Sequence, residues 1–260
     1  MPRAAAFFDL DKTLMAGSSG MVFARVANRH GIVPRRQLAK WGLDHLRYRV
    51  RGATDEQTNS VLEVARRTFA DVPQGDIQRM GPEVLAGILP RVYPQMLEEV
   101  HSHHDEGRPT FIVSAAGNDV VAALARVLGM DGGIGTKWAI GPDDAYTGEI
   151  EGDFVYGKGK VTAMEAYAAE HDIDLDASYS YSDSASDLPM LRAVGNAVVV
   201  NPDPALLEVA RAEGWRVMRF EKLGRRMAIA GATVLAAALG AGASIASSRR
   251  GRRNVKLPRR

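Results

Sequence analysis

The fold is decided by one stretch near the N-terminus, AAAFFDLDKTL at residues 4–14. Its first five residues are apolar and uncharged, which is typical of a buried strand. Two carboxylates, Asp9 and Asp11, follow at the C-terminal end of this strand, where open α/β sheets bind ligands. Burying two like charges so close together is costly unless a cation or protons offset them. The stretch therefore predicts a functional site with a cation, and a helix cap or a turn is the structural alternative.

Three further segments follow in an order that suits a carboxylate site for phosphate chemistry. The first is FIVS at residues 111–114, an apolar strand that ends in a hydroxyl group. The second is a helix opened by Lys160. The third is a strand followed by a second acidic pair, Asp183 and Asp187. Together they supply carboxylates, a cation and a hydroxyl donor, the groups that a phosphate site needs.

These segments resemble the haloacid dehalogenase superfamily, and within it subfamily IB, the phosphoserine-phosphatase-like branch. The resemblance covers residues 3 to about 220. The matching motif residues are Asp9, Asp11 and Thr13 of the first motif, Ser114 of the second, Lys160 of the third, and Asp183 and Asp187 of the fourth. The resemblance implies an α/β fold, with a Rossmann-like parallel sheet core and an inserted helical cap domain. The composition of the C-terminal region adds the prediction of an apolar helix.

The resemblance also implies a magnesium-dependent phosphatase that hydrolyses a small phosphomonoester through an aspartyl-phosphate intermediate. Asp9 is the implied nucleophile, and Asp11 the general acid and base that serves the leaving oxygen and then the attacking water. The implied Mg²⁺ ligands are Asp9, the backbone carbonyl of Asp11, and Asp183. Asp187 is implied to lie just outside these ligands, where it orients Lys160 or a metal-bound water.

A second group of residues is predicted to hold the phosphate of the substrate, because each offers a hydrogen-bond donor. The predicted phosphate ligands are Lys160, Thr13, Ser114 and the amides of Ala115 and Ala116. Two alternatives stay open at this point. One is that Ser114 only caps the next helix. The other is that Lys158 replaces Lys160, although the spacing to Asp183 favours Lys160.

Two positions depart from the pattern of the family. Phosphoserine phosphatases carry an acidic residue soon after the first motif, which helps to bind the ammonium group of the substrate. The corresponding stretch here is AGSSG at residues 16–20, which contains no carboxylate, so we predict that phosphoserine is not the preferred substrate. Ser182 stands where many relatives have glycine, and its hydroxyl either crowds the site or forms a hydrogen bond within it.

The spacing of the motifs predicts the domain organisation. About 100 residues separate the first motif from the second, far more than a loop needs. We therefore predict a helical cap at residues 15–105, inserted into a catalytic core formed by residues 1–14 and 106–222. Turn residues between two β-rich runs predict a hairpin within residues 136–150.

Composition restricts the remaining possibilities. The chain of 260 residues has a net charge of +2 and contains no cysteine, which excludes disulfides and thiolate metal sites. The apolar run before Asp9 is too short for a secretion signal, so we expect a cytoplasmic catalytic domain. The three histidines at positions 101, 103 and 104 are expected at a solvated helix end rather than around a metal.

The C-terminal region, residues 223–260, is predicted to form an apolar helix with a basic tail. Residues 227–248 contain no charged side chain, and this stretch is long enough for a membrane-spanning helix. Its many alanines make insertion into a membrane marginal. Residues 249–260 contain seven Lys or Arg and no acid. We predict membrane association through residues 227–248; a packed helix or a free tail is the alternative, and nonspecific nucleic-acid binding by the tail is a weaker one.

Two other functions use the same residues. A regulatory protein would keep the phosphate site with weak catalysis. A phosphotransferase would pass the phosphoryl group from the same aspartyl-phosphate to a hydroxyl group instead of water. The presence of both Asp9 and Asp11 favours an enzyme, because mere phosphate binding has no need for two carboxylates.

Overall fold

The structure, a computed structural model, describes residues 3–38, 62–63 and 65–220. The chain divides into one unit at Met1–Met218 and a second at Arg219–Arg260, and the fold below is that of the first unit. Part of the predicted cap, and the segments predicted at residues 227–248 and 249–260, lie outside the described residues.

The centre of the fold is a seven-stranded sheet with the strand order β4-β3-β2-β1-β5-β6-β7. The strands are β1 Ala6–Asp9, β2 Thr110–Gly117, β3 Gly132–Ile140, β4 Tyr146–Glu151, β5 Tyr179–Ser182, β6 Asn196–Val200 and β7 Arg216–Met218. Every neighbouring pair is parallel except β3 and β4. This is the predicted parallel α/β core, and the antiparallel β3–β4 pair is the predicted hairpin.

Helices connect the parallel strands, as crossover connections require. The helices are α1 Ser19–Arg29, α2 Gln74–Ile88, α3 Pro94–Asp105, α4 Asn118–Val127, α5 Lys158–Glu170, α6 Leu188–Arg192 and α7 Pro204–Ala212. Short 3₁₀ turns lie at Leu89–Arg91 and Ala185–Asp187, and residues 35–38 and 65–69 are also helical. No helix among the described residues is long and apolar enough to cross a membrane.

Strand β1 lies between β2 and β5, is buried on both faces, and carries aromatic side chains that stack on those of its two neighbours. Phe7 and Phe8 are fully buried. Phe7 stacks on Phe111 of β2 at a ring-centroid distance of 5.6 Å, and Phe8 stacks on Tyr181 of β5 at 4.3 Å. An uninterrupted apolar run is the pattern expected of a central parallel strand.

The helices of the region between the first two motifs differ in what they contact. α1 packs so closely on α2 that a Cβ atom at Gly87 would lie 2.6 Å from Val22. α3 packs on the sheet, where His103 lies 2.8 Å from the hydroxyl of Tyr181. The expectation of a solvated histidine is wrong at this position, since His103 is only 3% exposed. The boundaries predicted for the cap remain a prediction.

Candidate active site

The candidate site lies where the central parallel strands end. Asp9 is the last residue of β1 and pairs in register with Val113 of β2, so Ser114 follows at the same edge. On the other side, Phe8 pairs with Tyr181 of β5, which brings the end of β5 beside Asp9. The chain order of the motifs and the parallel direction of these strands together assemble the site.

Lys160 joins the first acidic pair to the second. Its Nζ donates to Oδ1 of Asp9 at 2.5 Å and to Oδ2 of Asp187 at 2.7 Å, and all three side chains are buried. Lys158 is exposed to solvent, so the structure places Lys160 and not Lys158 in the site. The first turn of α5 is close to the preceding loop, since a Cβ atom at Gly159 would lie 1.9 Å from the backbone oxygen of Phe154.

The residues after β1 hold the first carboxylate pair in place. The Thr13 hydroxyl is buried and donates to Oδ2 of Asp9 at 3.0 Å, so this predicted phosphate ligand contacts the carboxylate instead. Asp11 is half-buried, and its Oδ1 accepts a 2.7 Å hydrogen bond from the backbone amide of Ser19, the first residue of α1. The partial positive charge of a helix N-terminus therefore lies beside the Asp11 carboxylate.

The second acidic pair follows β5. Oδ2 of Asp183 lies 3.6 Å from Nζ of Lys12, and Asp183 is only 6% exposed. Oδ2 of Asp187 accepts from Lys160 and also from the hydroxyl of Ser182 at 2.7 Å. Oδ1 of Asp187 is buried and has no hydrogen-bond partner in the part of the chain that the structure describes.

Buried negative charge outweighs buried positive charge at this edge. Burial raises the pKa of Asp9 to about 6, with Lys160 opposing the rise and Asp187 adding to it. Burial also raises the pKa of Asp183 to about 8, and the neighbouring Asp9 adds to that rise. Burial alone would lower the pKa of Lys160, but the carboxylates of Asp187 and Asp9 raise it above its ordinary value. Such a site favours the binding of a further cation.

The end of β2 offers a hydroxyl group to the site. Ser114 is 4% exposed, and its Oγ accepts from the amide of Ala116 at 3.2 Å. The residue that caps α4 is Gly117, so the alternative in which Ser114 caps this helix is wrong. The Ala115 carbonyl accepts from Thr136 at 3.0 Å. Because the Ala116 amide already donates to Ser114, the serine hydroxyl proton is the better-placed donor to an anion.

The donor set fits Mg²⁺, which prefers oxygen ligands and is usually held by one or two carboxylates while keeping several waters. Among the described residues, no group of three or more His, Cys, Asp or Glu side chains is arranged to hold a metal ion. The predicted ligand set needs only two carboxylates, Asp9 and Asp183, together with the backbone carbonyl of Asp11. The unpaired oxygen of Asp187 adds an acceptor that a metal-bound water would satisfy.

Two contacts at the site were not predicted from the sequence. The Ser19 amide bonds Asp11, and the N-cap residue Ser18 before an apolar stretch was an available signal for a helix start at this point. Lys12 reaches Asp183 from a left-handed backbone conformation with φ of 61°, for which the sequence carries no signal. Of the two alternatives for Ser182, crowding of the site or a hydrogen bond within it, the structure shows the hydrogen bond, which its hydroxyl forms with Asp187.

Comparison with known proteins gives a family and several relatives. The family model of the haloacid dehalogenase-like hydrolases matches residues 6–192. A Streptomyces azureus protein named for inhibition of morphological differentiation is 35% identical over 259 residues, covering 95% of this chain and 92% of that protein. A phosphoserine phosphatase of Mycobacterium tuberculosis is 33% identical over 256 residues, covering 96% and 82%. A histidinol-phosphatase of Neisseria meningitidis is 29% identical over 220 residues, covering 83% and 98%.

Comparison with solved structures agrees with the sheet topology described above. A Bordetella pertussis Tohama I protein, described as having unknown function, aligns with a TM-score of 0.72 at 30% sequence identity. The alignment covers 84% of this chain and 99% of that protein. The similarity therefore extends beyond the motif residues to nearly the whole of a solved chain.

Proposed function

Because the chain belongs to the haloacid dehalogenase-like hydrolase family, we propose that it is a magnesium-dependent phosphatase acting on a small phosphomonoester through an aspartyl-phosphate. The observation that carries the proposal is that buried Lys160 contacts both Asp9 and Asp187. The pKa of the neighbouring Asp183 is raised by burial. An anionic nucleophile and an anionic substrate repel each other, so the chemistry needs positive charge at this place. Asp9, Asp183 and the carbonyl of Asp11 would hold Mg²⁺, which would neutralise charge on the phosphate when bound.

In the proposed first step, a carboxylate oxygen of Asp9 attacks phosphorus and the bond from phosphorus to the leaving oxygen breaks. Thr13 and Lys160 hold Asp9 through one hydrogen bond to each of its oxygens, which orients the nucleophile. Asp11 gives its proton to the leaving oxygen. Ser114 and Lys160 donate to the phosphoryl oxygens and stabilise the charge of the transition state.

In the proposed second step, water attacks the phosphorus of the aspartyl-phosphate, and Asp11 takes a proton from it. Phosphate leaves and the Asp9 carboxylate is restored. The hydrogen bond from the first amide of α1 keeps the Asp11 carboxylate in one place for both proton transfers. Asp11 thus ends the cycle protonated, as it began.

We also propose that residues 15–105 form a cap over this edge of the sheet. The first amide of α1, that of Ser19, donates to Asp11, and Phe23 lies one turn further along this helix. Phe23 packs on Phe69 at a ring-centroid distance of 5.5 Å, and Phe69 packs on Trp138 of β3 at 4.9 Å. This aromatic group links the proposed cap to the hairpin of the core.

The substrate is proposed to be a small phosphorylated metabolite. Two of the relatives named above act, by their names, on phosphoserine and on histidinol phosphate, which are both phosphomonoesters of small molecules that carry an amino group. Residues 16–20 offer no carboxylate to an ammonium group, so we expect phosphoserine to be turned over less well than another member of this class. A panel of phosphorylated amino alcohols, sugars, nucleotides and aryl alcohols, assayed for kcat/KM, tests this expectation. A clear preference for phosphoserine would contradict it.

The test of the proposed mechanism is the substitution Asp9→Asn, assayed with an aryl phosphate with and without Mg²⁺. We expect turnover only with Mg²⁺ or a similar hard cation, and no turnover by the variant, because the amide keeps the shape of the side chain but is no nucleophile. Asp105→Asn, an exposed aspartate at the end of α3, is the matched control and should be fully active. Undiminished hydrolysis by Asp9→Asn would overturn the mechanism.

A further inference from the structure

Ser182 is the last residue of β5 and directly precedes Asp183. It is fully buried, and β5 lies next to β1, which carries Asp9. A buried hydroxyl is retained at little cost only when it is hydrogen-bonded. The contacts of this hydroxyl therefore indicate what it does at the site.

The Ser182 hydroxyl joins two parts of the site. Its Oγ donates to Oδ2 of Asp187 at 2.7 Å and accepts from the backbone amide of Ser184 at 3.2 Å. The second bond spans Asp183, so one hydroxyl connects the turn that carries Asp183 to the side chain of Asp187. A glycine at this position would make neither contact.

These bonds give Asp187 a defined orientation. Its Oδ2 accepts from two donors, Ser182 and Lys160, while its Oδ1 is buried with no partner among the described residues. With Ser182 absent, Lys160 would be the sole donor to Oδ2 in the described part of the chain. Asp187 would then be freer to rotate, and Lys160 would be held less firmly on Asp9.

We propose that Ser182 is a positioning residue for the reaction. Through Asp187 it keeps Lys160 on Asp9 and leaves the second oxygen of Asp187 free as an acceptor, and through Ser184 it holds the turn that presents Asp183. The inference rests on the proposed function for its catalytic consequence. Its consequence for the binding of Mg²⁺ is separate and is measured without substrate.

The experiment uses four variants of the full chain. Ser182→Ala and Ser182→Gly remove the hydroxyl, and Ser182→Thr keeps it. Ser180→Ala is the matched control, because Ser180 is a fully buried serine two residues earlier on the same strand. Its hydroxyl reaches the Met190 carbonyl at 3.4 Å and is not bonded to Asp187.

Four quantities are measured for each variant: Mg²⁺ affinity by calorimetry without substrate, kcat and KM with an aryl phosphate, and the midpoint of thermal unfolding. We expect Ser182→Ala and Ser182→Gly to lose about 10- to 100-fold in Mg²⁺ affinity and in kcat, with KM little changed. Ser182→Thr should stay close to the parent protein. Ser180→Ala should keep both affinity and kcat, even if its unfolding midpoint falls.

Different results separate this inference from the proposed function. If Ser182→Ala and Ser182→Gly change only the unfolding midpoint, as Ser180→Ala does, the positioning role is wrong. Equal losses in Ser182→Thr and Ser182→Ala, at unchanged unfolding midpoints, would also overturn it. If the parent protein hydrolyses no phosphomonoester, the proposed function fails, while the calorimetric comparison still decides whether Ser182 supports cation binding.

Discussion

Two polar clusters of this molecule differ in how their charges are balanced. The active-edge cluster consists of Asp9, Lys160, Ser182, Asp183 and Asp187. The helix-face cluster joins α3 to β5, β7 and the loop before β2, and consists of Glu99, His103, Arg108, Tyr181 and Arg216. Tyr181 and Ser182 are consecutive residues of β5, so their side chains point to opposite faces of the sheet.

The helix-face cluster forms a continuous chain of hydrogen bonds. Arg108 donates to Nδ1 of His103 at 2.7 Å, so Nε2 of the neutral ring carries the proton and donates to the Tyr181 oxygen at 2.8 Å. The Tyr181 hydroxyl in turn donates to Glu99 at 2.9 Å. Arg216 donates to both oxygens of Glu99, at 2.6 and 2.8 Å. Arg108 also pairs with Glu106 at 2.5 Å, so each arginine of this cluster has its own carboxylate and no surplus charge calls for a ligand.

The active-edge cluster is different because it has three buried carboxylates and one buried ammonium group. One oxygen of Asp187 has no partner among the described residues, and the pKa values of Asp9 and Asp183 are raised. The comparison teaches that the active edge combines burial with imbalance, because its charged side chains are buried, whereas the exposed Arg216 of the helix-face cluster is paired with Glu99. A polar cluster with balanced charges holds elements of the fold together, whereas a cluster with surplus charge is suited to bind a ligand of the opposite charge.

After the loss of the nucleophile itself, the largest expected effect comes from removing proton transfer beside the active-edge cluster. Asp11→Asn should lower kcat by about 10²- to 10⁴-fold, because a carboxamide neither gives nor takes the proton. The unfolding midpoint should stay close to that of the parent, because the amide oxygen still accepts from the Ser19 amide. Steady-state kinetics and thermal unfolding of the same sample measure both quantities, and a kcat within threefold of the parent (about 0.7 kcal/mol) would contradict the assigned role.

The two clusters should also respond to pH with opposite signs. Folded Asp183 has a pKa of about 8, so between about pH 4 and 8 it keeps a proton that the unfolded chain has lost, and stability falls as pH rises. His103 acts the other way, since burial and Arg108 lower its pKa to about 4, and stability rises with pH up to about 6.5. Between pH 6.5 and 8, the fall in stability therefore comes from Asp183 at the active edge.

Urea unfolding of the metal-free protein between pH 6.5 and 8 measures this fall. Mg²⁺ at saturating concentration should remove it, because the cation binds the ionised carboxylates and releases their protons. Asp183→Asn should remove it without Mg²⁺. A metal-free protein whose free energy of unfolding stays constant over this range would show that the active edge does not carry the surplus charge.

A smaller effect is expected at the helix-face cluster. His103→Ala leaves the Tyr181 oxygen and the Arg108 Nε without their partner, which should cost about 1–3 kcal/mol of stability. Its kcat should match the parent, because the balanced cluster takes no part in the chemistry. Urea unfolding and kinetics on one preparation test both; a loss of kcat at full stability would end the distinction between the clusters.

The smallest effect on catalysis is expected outside both clusters. A chain that ends at Leu223 should have the kcat of the full chain, because every residue of the two clusters lies before that point. The prediction of membrane association through residues 227–248 is tested by fractionating cells that express the full and the shortened chain. Full-length protein that stays in the soluble fraction at low salt would contradict it.

Much of the site was predictable from local patterns. The family, the α/β fold and the assignment as a hydrolase are confirmed. An apolar run followed by Asp9, and another followed by Ser114, each predicts a strand that ends in a functional group. Parallel strands place such ends at one edge, so the order of the motifs is enough to bring them together.

Some assignments stayed beyond local patterns because they depend on long-range packing. The spacing to Asp183 favours Lys160 but leaves Lys158 as an alternative. The docking of the first turn of α5 places Lys160 in the site, where it reaches Asp9 across 151 positions of sequence. His103 was expected in solvent, yet α3 turns that side of the helix toward the sheet. A residue two positions from another on a helix faces a different direction, so the neighbouring histidines gave no guidance.

The sequence by itself determined the chemistry that is available: which strands form, which carboxylates follow them and which family they resemble, because apolar runs and motif spacing are local properties. Only the tertiary structure decided which charges remain uncompensated. It bonds Ser182 to Asp187, leaves the second oxygen of Asp187 unpaired and closes the helix-face cluster around His103. The physical reason is that a charge is balanced by its neighbours in space, and those neighbours come from distant parts of the chain.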